Sequence, residues 1–222
     1  MSLTAFRWPH VWLVVLTLAV LISSSGCIGI SAHLLYFIKG GQKIDAEYKG
    51  LNEKRVAVVC VSENASYGPN SISSMMERSV AVLLRERGRK IDVIHHEEVA
   101  DWIDTNDWNQ MDYRDIGRGV AADKVLAIDV GGVRLHEGMT LYKGRADVVV
   151  TVYDIEDGGK VAFRKTLPEF TFPRNGARHT TEMSENQFRQ LFVTVLANQV
   201  AKYFYDYRFE DDFANDVRTL SY

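Results

Sequence analysis

Arg55 to Ser62 is an almost unbroken apolar run, Arg-Val-Ala-Val-Val-Cys-Val-Ser. A strand with one wet face alternates polar and apolar residues, so a continuous valine-rich run demands cover on both faces. The next segment supplies such cover. Ile72, Met75, Met76, Val80, Leu83 and Leu84 recur at spacings of three and four, which predicts a helix with one apolar face, started near Ser71 and closed by Gly88. Lys90 to Ile94 reads as a second strand, His95 to Ile103 as a short helix, Tyr113 to Ala121 as another, and Lys124 to Val130 as a third apolar strand ending at Gly131-Gly132. Strands alternating with helices at these lengths imply crossovers onto parallel neighbours.

The second half changes period. Ala146, Val148, Val150 and Val152 alternate with Asp147, Val149, Thr151 and Tyr153, and Asp157-Gly158-Gly159 turns the chain into Lys160 to Lys165, an antiparallel hairpin. Pro168 and Pro173 bracket Glu169 to Phe172, which fits only a sheet edge or a loop. Ser184 and Gln187 have the spacing of a capping box, followed by a stripe of Phe188, Leu191, Phe192, Val195, Leu196, Val200 and Tyr203. The expected fold class is α/β (α+β): a mixed sheet with a parallel βαβαβ part, an antiparallel hairpin and a long C-terminal helix packed on it. Residues 54–205 form the domain, and 206–222 an acidic-aromatic tail.

The amino terminus carries an address. One basic residue, Arg7, precedes the 12-residue apolar run Val11 to Ile22, then Ser23, Ser24, Ser25, Gly26 and Cys27. A run of 12 is short for a bilayer span, which takes about 20 residues, and suits the apolar core of a secretory signal. Ser24-Ser25-Gly26-Cys27 resembles a bacterial lipobox, which implies lipid on the Cys27 thiol and cleavage before it. Residues 1–26 are then signal peptide and 27–53 a tether. The alternative is an uncleaved signal anchor over Trp8 to Ile38, a stretch with no Asp, Glu, Lys or Arg. Both readings place the domain outside the cytoplasm, in the bacterial cell envelope and facing the periplasm. Attachment rests on acyl chains, because a chain with 26 Lys+Arg and 29 Asp+Glu, net charge -3, gains little from anionic headgroups. The same charge balance excludes binding driven by nucleic-acid phosphates.

Three segments carry a resemblance: Lys54-Arg55-Val56-Ala57-Val58-Val59, Ala121-Ala122-Asp123-Lys124-Val125-Leu126-Ala127-Ile128, and Val150 through Asp157-Gly158-Gly159-Lys160-Val161. With the element order, they resemble the envelope lipoprotein domains related to the TolB amino-terminal domain, CsgG and LpoB. The resemblance implies a lipid-anchored domain that holds partners at the envelope, with no catalytic residue to carry over.

Candidate chemistry is sparse. His95-His96-Glu97-Glu98 is the one dense group of metal-ligand types, but neighbouring strand residues point to opposite faces, and no His-x-x-x-His or Glu-x-x-His spacing occurs. No Gly-x-Ser-x-Gly elbow or phosphate loop is present. Cys60, inside the apolar run, reads as a small buried hydrophobe. Trp102, Trp108 and Tyr113 could form an exposed aromatic patch for a partner. The expectation is a non-catalytic envelope protein without cofactor or metal that binds or regulates another envelope component. Alternatives are a metal-dependent hydrolase using His95 to Glu98, and an assembly protein that oligomerises through a sheet edge near Glu169 to Phe172.

Overall fold

The computed structural model describes residues 43–62, 71–106 and 112–208. In chain order these form β1 (Lys43–Ile44), β2 (Arg55–Ser62), α1 (Ile72–Arg87), β3 (Asp92–Val93), α2 (His96–Thr105), α3 (Tyr113–Gly119), β4 (Lys124–Glu137), β5 (Leu141–Asp154), β6 (Lys160–Phe172), β7 (Arg178–His179), α4 (Glu185–Ala201) and β8 (Tyr207–Arg208). The main sheet runs β3-β2-β4-β5-β6, with β7 added to β5. β3 and β4 flank β2 in parallel, and β4, β5 and β6 continue as an antiparallel meander. The expected mixed sheet is present.

The step from β2 to β3 runs one way across the sheet and the step from β3 to β4 runs back. Right-handed crossovers in opposite directions lie on opposite faces. α1 and α4 accordingly cover one face, burying Val56, Val58 and Cys60 of β2, and α2 and α3 cover the other, burying Ala57 and Val59. That two-sided cover is why β2 is apolar at every central position.

Local signals set the helix ends. Ser71 caps α1, its Oγ accepting the Ser74 N–H at 3.2 Å, and the Gly88 N–H closes the helix on the Leu84 carbonyl at 2.9 Å. At α4 the capping box forms as expected: Ser184 Oγ accepts the Gln187 N–H, and Gln187 Oε1 accepts the Ser184 N–H at 2.8 Å. Phe188, Phe192, Leu196 and Val200 are fully buried between sheet and α1.

Two expectations need correction. Gly131-Gly132 does not end β4, which runs on to Glu137 while β5 begins at Leu141. The glycines form an irregularity between Gly131 and Arg134, with Gly132 at φ 57°, and pairing resumes beyond it. Glu169 to Phe172 lies at a sheet edge as expected, in β6. Pro168 and Glu169 together oppose Asp147, and the Glu169 N–H, turned out of the ladder at φ 47°, donates to Asp147 Oδ1 at 2.7 Å. Finally, residues 43–53 belong to the folded unit. β1 pairs with β8, the Tyr48 N–H donates to the Tyr203 carbonyl at 2.9 Å, and Leu51 is fully buried. Leu51 and Tyr48, which packs on Phe163 and Phe204, anchor a stretch that otherwise reads as polar.

Asp206 fastens this junction, reaching Lys43 at 2.8 Å, Lys49 at 3.3 Å and the Ala46 N–H at 2.9 Å. The hydrogen bond from Lys43, helped by Ala46 and Lys49, holds its carboxyl well below the usual carboxylate range. Among the described residues no helix is long and apolar enough to cross a membrane.

Candidate functional site

Open α/β sheets bind ligands beyond the carboxyl ends of parallel strands, where neighbouring connections leave for opposite faces. Here that place is the end of β2, between β3 and β4. Cys60 and Ser62 come from β2, Glu77 from the first half of α1, His96 from the start of α2, Tyr113 from the start of α3 and Asp129 from β4.

These groups close on one another. His96 Nδ1 lies 2.8 Å from Glu77 Oε1, with the Glu77 side chain only 10% exposed. Burial pushes the Glu77 carboxyl up, and the hydrogen bond to Glu77 raises the His96 imidazole above its ordinary value. On the other face of β2, the Tyr113 hydroxyl donates to Asp129 Oδ1. Burial, then that bond, drives the phenol far above its usual range. Cys60 is buried, and burial followed by the nearby Glu77 and Asp129 charges pushes its thiol well up. Ser62 Oγ is buried with no hydrogen-bond partner among the described residues. A His–Glu pair is the orienting half of a general base, which needs a nucleophile within reach. The thiol nearby is neutral and enclosed, the opposite of the electropositive, accessible setting a reactive cysteine requires.

The His96–Glu77 pair makes stability pH-dependent. Both folded-state values lie above the unfolded ones, 6.5 for His96 and 4.5 for Glu77, so the folded state binds these protons more tightly. The His96 contribution is complete below its unfolded value and is lost as pH rises through the raised folded value. The Glu77 contribution has the same sign at lower pH. Asp154 and Glu185 have depressed values, through Lys124 and His136 respectively, and their contributions are lost as pH falls. The urea midpoint is therefore expected to fall from pH 6 to pH 8.5, and His96→Gln to flatten that slope. An unchanged slope in the variant would refute the assignment.

Of the other predicted site residues, His95 occupies the N-cap of α2 without a capping bond, and Glu98 pairs with Arg55 at 2.8 Å. His95, His96 and Glu98 of the run thus go to separate places, and among the described residues no group of three or more His, Cys, Asp or Glu is arranged to hold a metal. Trp102 is half-buried with its ring over Gly119, where a Cβ would come within 1.9 Å of Nε1. Tyr113 is 6% exposed and lies against Tyr153, ring centroids 5.7 Å apart. Tyr113 is therefore part of the α2–α3 core layer, while Trp102 packs on its edge and keeps part of its surface in solvent. Trp108 and Cys27 lie outside the described residues.

Sequence reading missed Glu77. Its signal is spacing: Glu77 shares the buried side of α1 with Val80 and Leu84, at intervals of three and four, so an acid there needs a partner. It also missed Val82, off the main stripe, yet 45% exposed beside a groove of about 300 Å³ between α1 and α4.

No protein family model matches the chain, and no curated protein does. Several solved structures are similar. A PelC dodecamer from Paraburkholderia phytofirmans is 18% identical, covering 74% of this chain and 96% of that one, with a TM-score of 0.45. Lipoprotein GNA1162 from Neisseria meningitidis is 16% identical over 66% of this chain and 97% of that one, at 0.44. The LpoB C-terminal domain from Salmonella enterica is 10% identical over 52% and 82%, at 0.36.

Proposed function

We propose that this chain is a lipid-anchored cell-envelope protein whose folded unit binds or regulates another envelope component and catalyses no reaction. The observation that carries the reading is the closure of the β2 end: Glu77 on His96 and Tyr113 on Asp129, around a buried neutral thiol. At the place where an α/β sheet does its chemistry, His96 and Tyr113 are each already engaged by a carboxylate. The hydrolase alternative at His95 to Glu98 is disfavoured for the same reason, since His96 and Glu98 are already engaged with Glu77 and Arg55.

Envelope placement rests on the short apolar run and the lipobox-like Ser24-Ser25-Gly26-Cys27. Mass spectrometry of the membrane-extracted chain should find a lipid-modified peptide beginning at Cys27, and Cys27→Ser should abolish it and release the protein from the membrane fraction. An intact peptide beginning before Cys27 would replace the lipoprotein with a signal anchor.

The partner contact in this reading centres on Trp102 and Trp108, with Tyr113 as buried support beneath α2 and α3. A photoreactive residue at exposed Asp104 should then capture one membrane partner, and Trp102→Ala should abolish the capture with the circular dichroism unchanged. Undiminished capture would remove Trp102 from the contact.

A further inference from the structure

The outer face of α1 and α4 is finished differently from the rest of the surface. Val82 projects at 45% exposure, one of three exposed large hydrophobic residues among those described. Beside it the groove of about 300 Å³ is lined by Arg78, Ser79, Val82 and Leu83 of α1 and by Thr194 and Asn198 of α4. Asn198 donates from Nδ2 to the Thr194 carbonyl at 3.0 Å, but its Oδ1 is buried and accepts no hydrogen bond from the described residues. This groove has an apolar knob and a small residue that allows close approach.

The charges select the occupant. Arg78, Val82 and Glu86 lie four residues apart on one ridge of α1, with opposite charges at equal distances on either side of the valine. Glu86 is exposed and makes no ion pair among the described residues. Set two copies of this ridge antiparallel about a two-fold axis at Val82, and Arg78 of each meets Glu86 of the other. A pattern that is its own complement under a two-fold axis is the mark of an isologous contact. The partner's Val82 then enters the groove, where the small Ser79 leaves room for close approach.

We infer that the α1–α4 groove is the contact by which two copies of this chain pair antiparallel across Val82, with Arg78 and Glu86 exchanged between them. This goes beyond the proposed function and does not depend on it. It also differs from assembly through the β6 edge, where Pro168 and the Asp147–Glu169 irregularity interrupt the strand.

The test uses the full-length chain in its own membranes. Under a mild thiol oxidant, Val82→Cys should give a disulfide-linked dimer whose linked peptides both contain residue 82. Met139→Cys, at a site 93% exposed on the β4–β5 turn, should give none. On the Val82→Cys background, Arg78→Glu or Glu86→Arg alone should cut the dimer yield about tenfold, because both symmetry-related contacts turn repulsive together. The two combined should restore it. A monomer with Val82→Cys, a crosslink to a different protein, or failure of the combined exchange to restore the dimer would each overturn the pairing. Native circular dichroism of each variant separates loss of contact from loss of fold.

Discussion

Phe192→Ala should lower the unfolding free energy by about 3–5 kcal/mol, read as a fall in the urea midpoint at unchanged slope. Phe192 is fully buried on the sheet side of α4 and packs on Phe170 at 5.8 Å between centroids. Its ring lies against the backbone of β5 at Gly144, where an added Cβ would stand 2.1 Å from Phe192 Cδ2. A strand held by ladder bonds on both sides cannot collapse into the space an alanine leaves, so the cavity term is retained. The same contact predicts a coupling. Gly144→Ala alone should also destabilise, because ring and methyl compete for one volume, whereas Gly144→Ala with Phe192→Ala should cost less than the two singly added. Additive costs would mean that the ring can swing clear of β5.

The second large effect lies at the other end of β5. Lys124, 8% exposed in its side chain, gives its ammonium to Asp154, and Lys124 together with the Asp157 N–H holds the Asp154 carboxyl below its ordinary value. Asp154→Ala strands a buried ammonium and should cost about 2–4 kcal/mol, toward the lower end because Asp154 keeps 23% of its side chain in water. Lys124→Met with Asp154→Leu removes both charges and should recover most of the loss. The aspartate contribution is present at neutral pH and lost as pH falls through its depressed folded value. The gap between wild type and Asp154→Ala should therefore narrow in acid. A gap that stayed constant to pH 3 would show that the charge pair is not its source.

The parallel half of the fold was legible because its residues report their surroundings directly. An apolar residue at every central position of β2 implies two covered faces, and the stripes of α1 and α4 match what those helices bury. The β4–β5 hairpin beyond Gly131 was not legible. Leu126, Ile128 and Val130 face α1 and α4 from even positions, but past the irregularity the inward residues are Val133 and Leu135. A change of parity inside one strand erases the period-2 signal that reading depends on. The site was harder still. His96 and Glu77 are nineteen residues apart on separate helices, and neither spacing nor type announces their meeting. Tyr113 drew notice as an aromatic near a polar loop. Its partner Asp129, within an apolar strand, was the stronger sign, since a charge there needs an answering hydroxyl.

The clasp between β1 and β8 also fixes an order of events. The Ala46 N–H and the Asp206 carboxylate that accepts it are 160 residues apart. A chain emerging amino end first must expose Asp45 to Leu51 until α4 and Tyr207 have followed, because the groups that hold this segment come last. The sheet can form behind it in the meantime. The folded unit is sealed at its point of entry only once Asp206 has been made, and a chain cut short before it would leave that entrance unlatched.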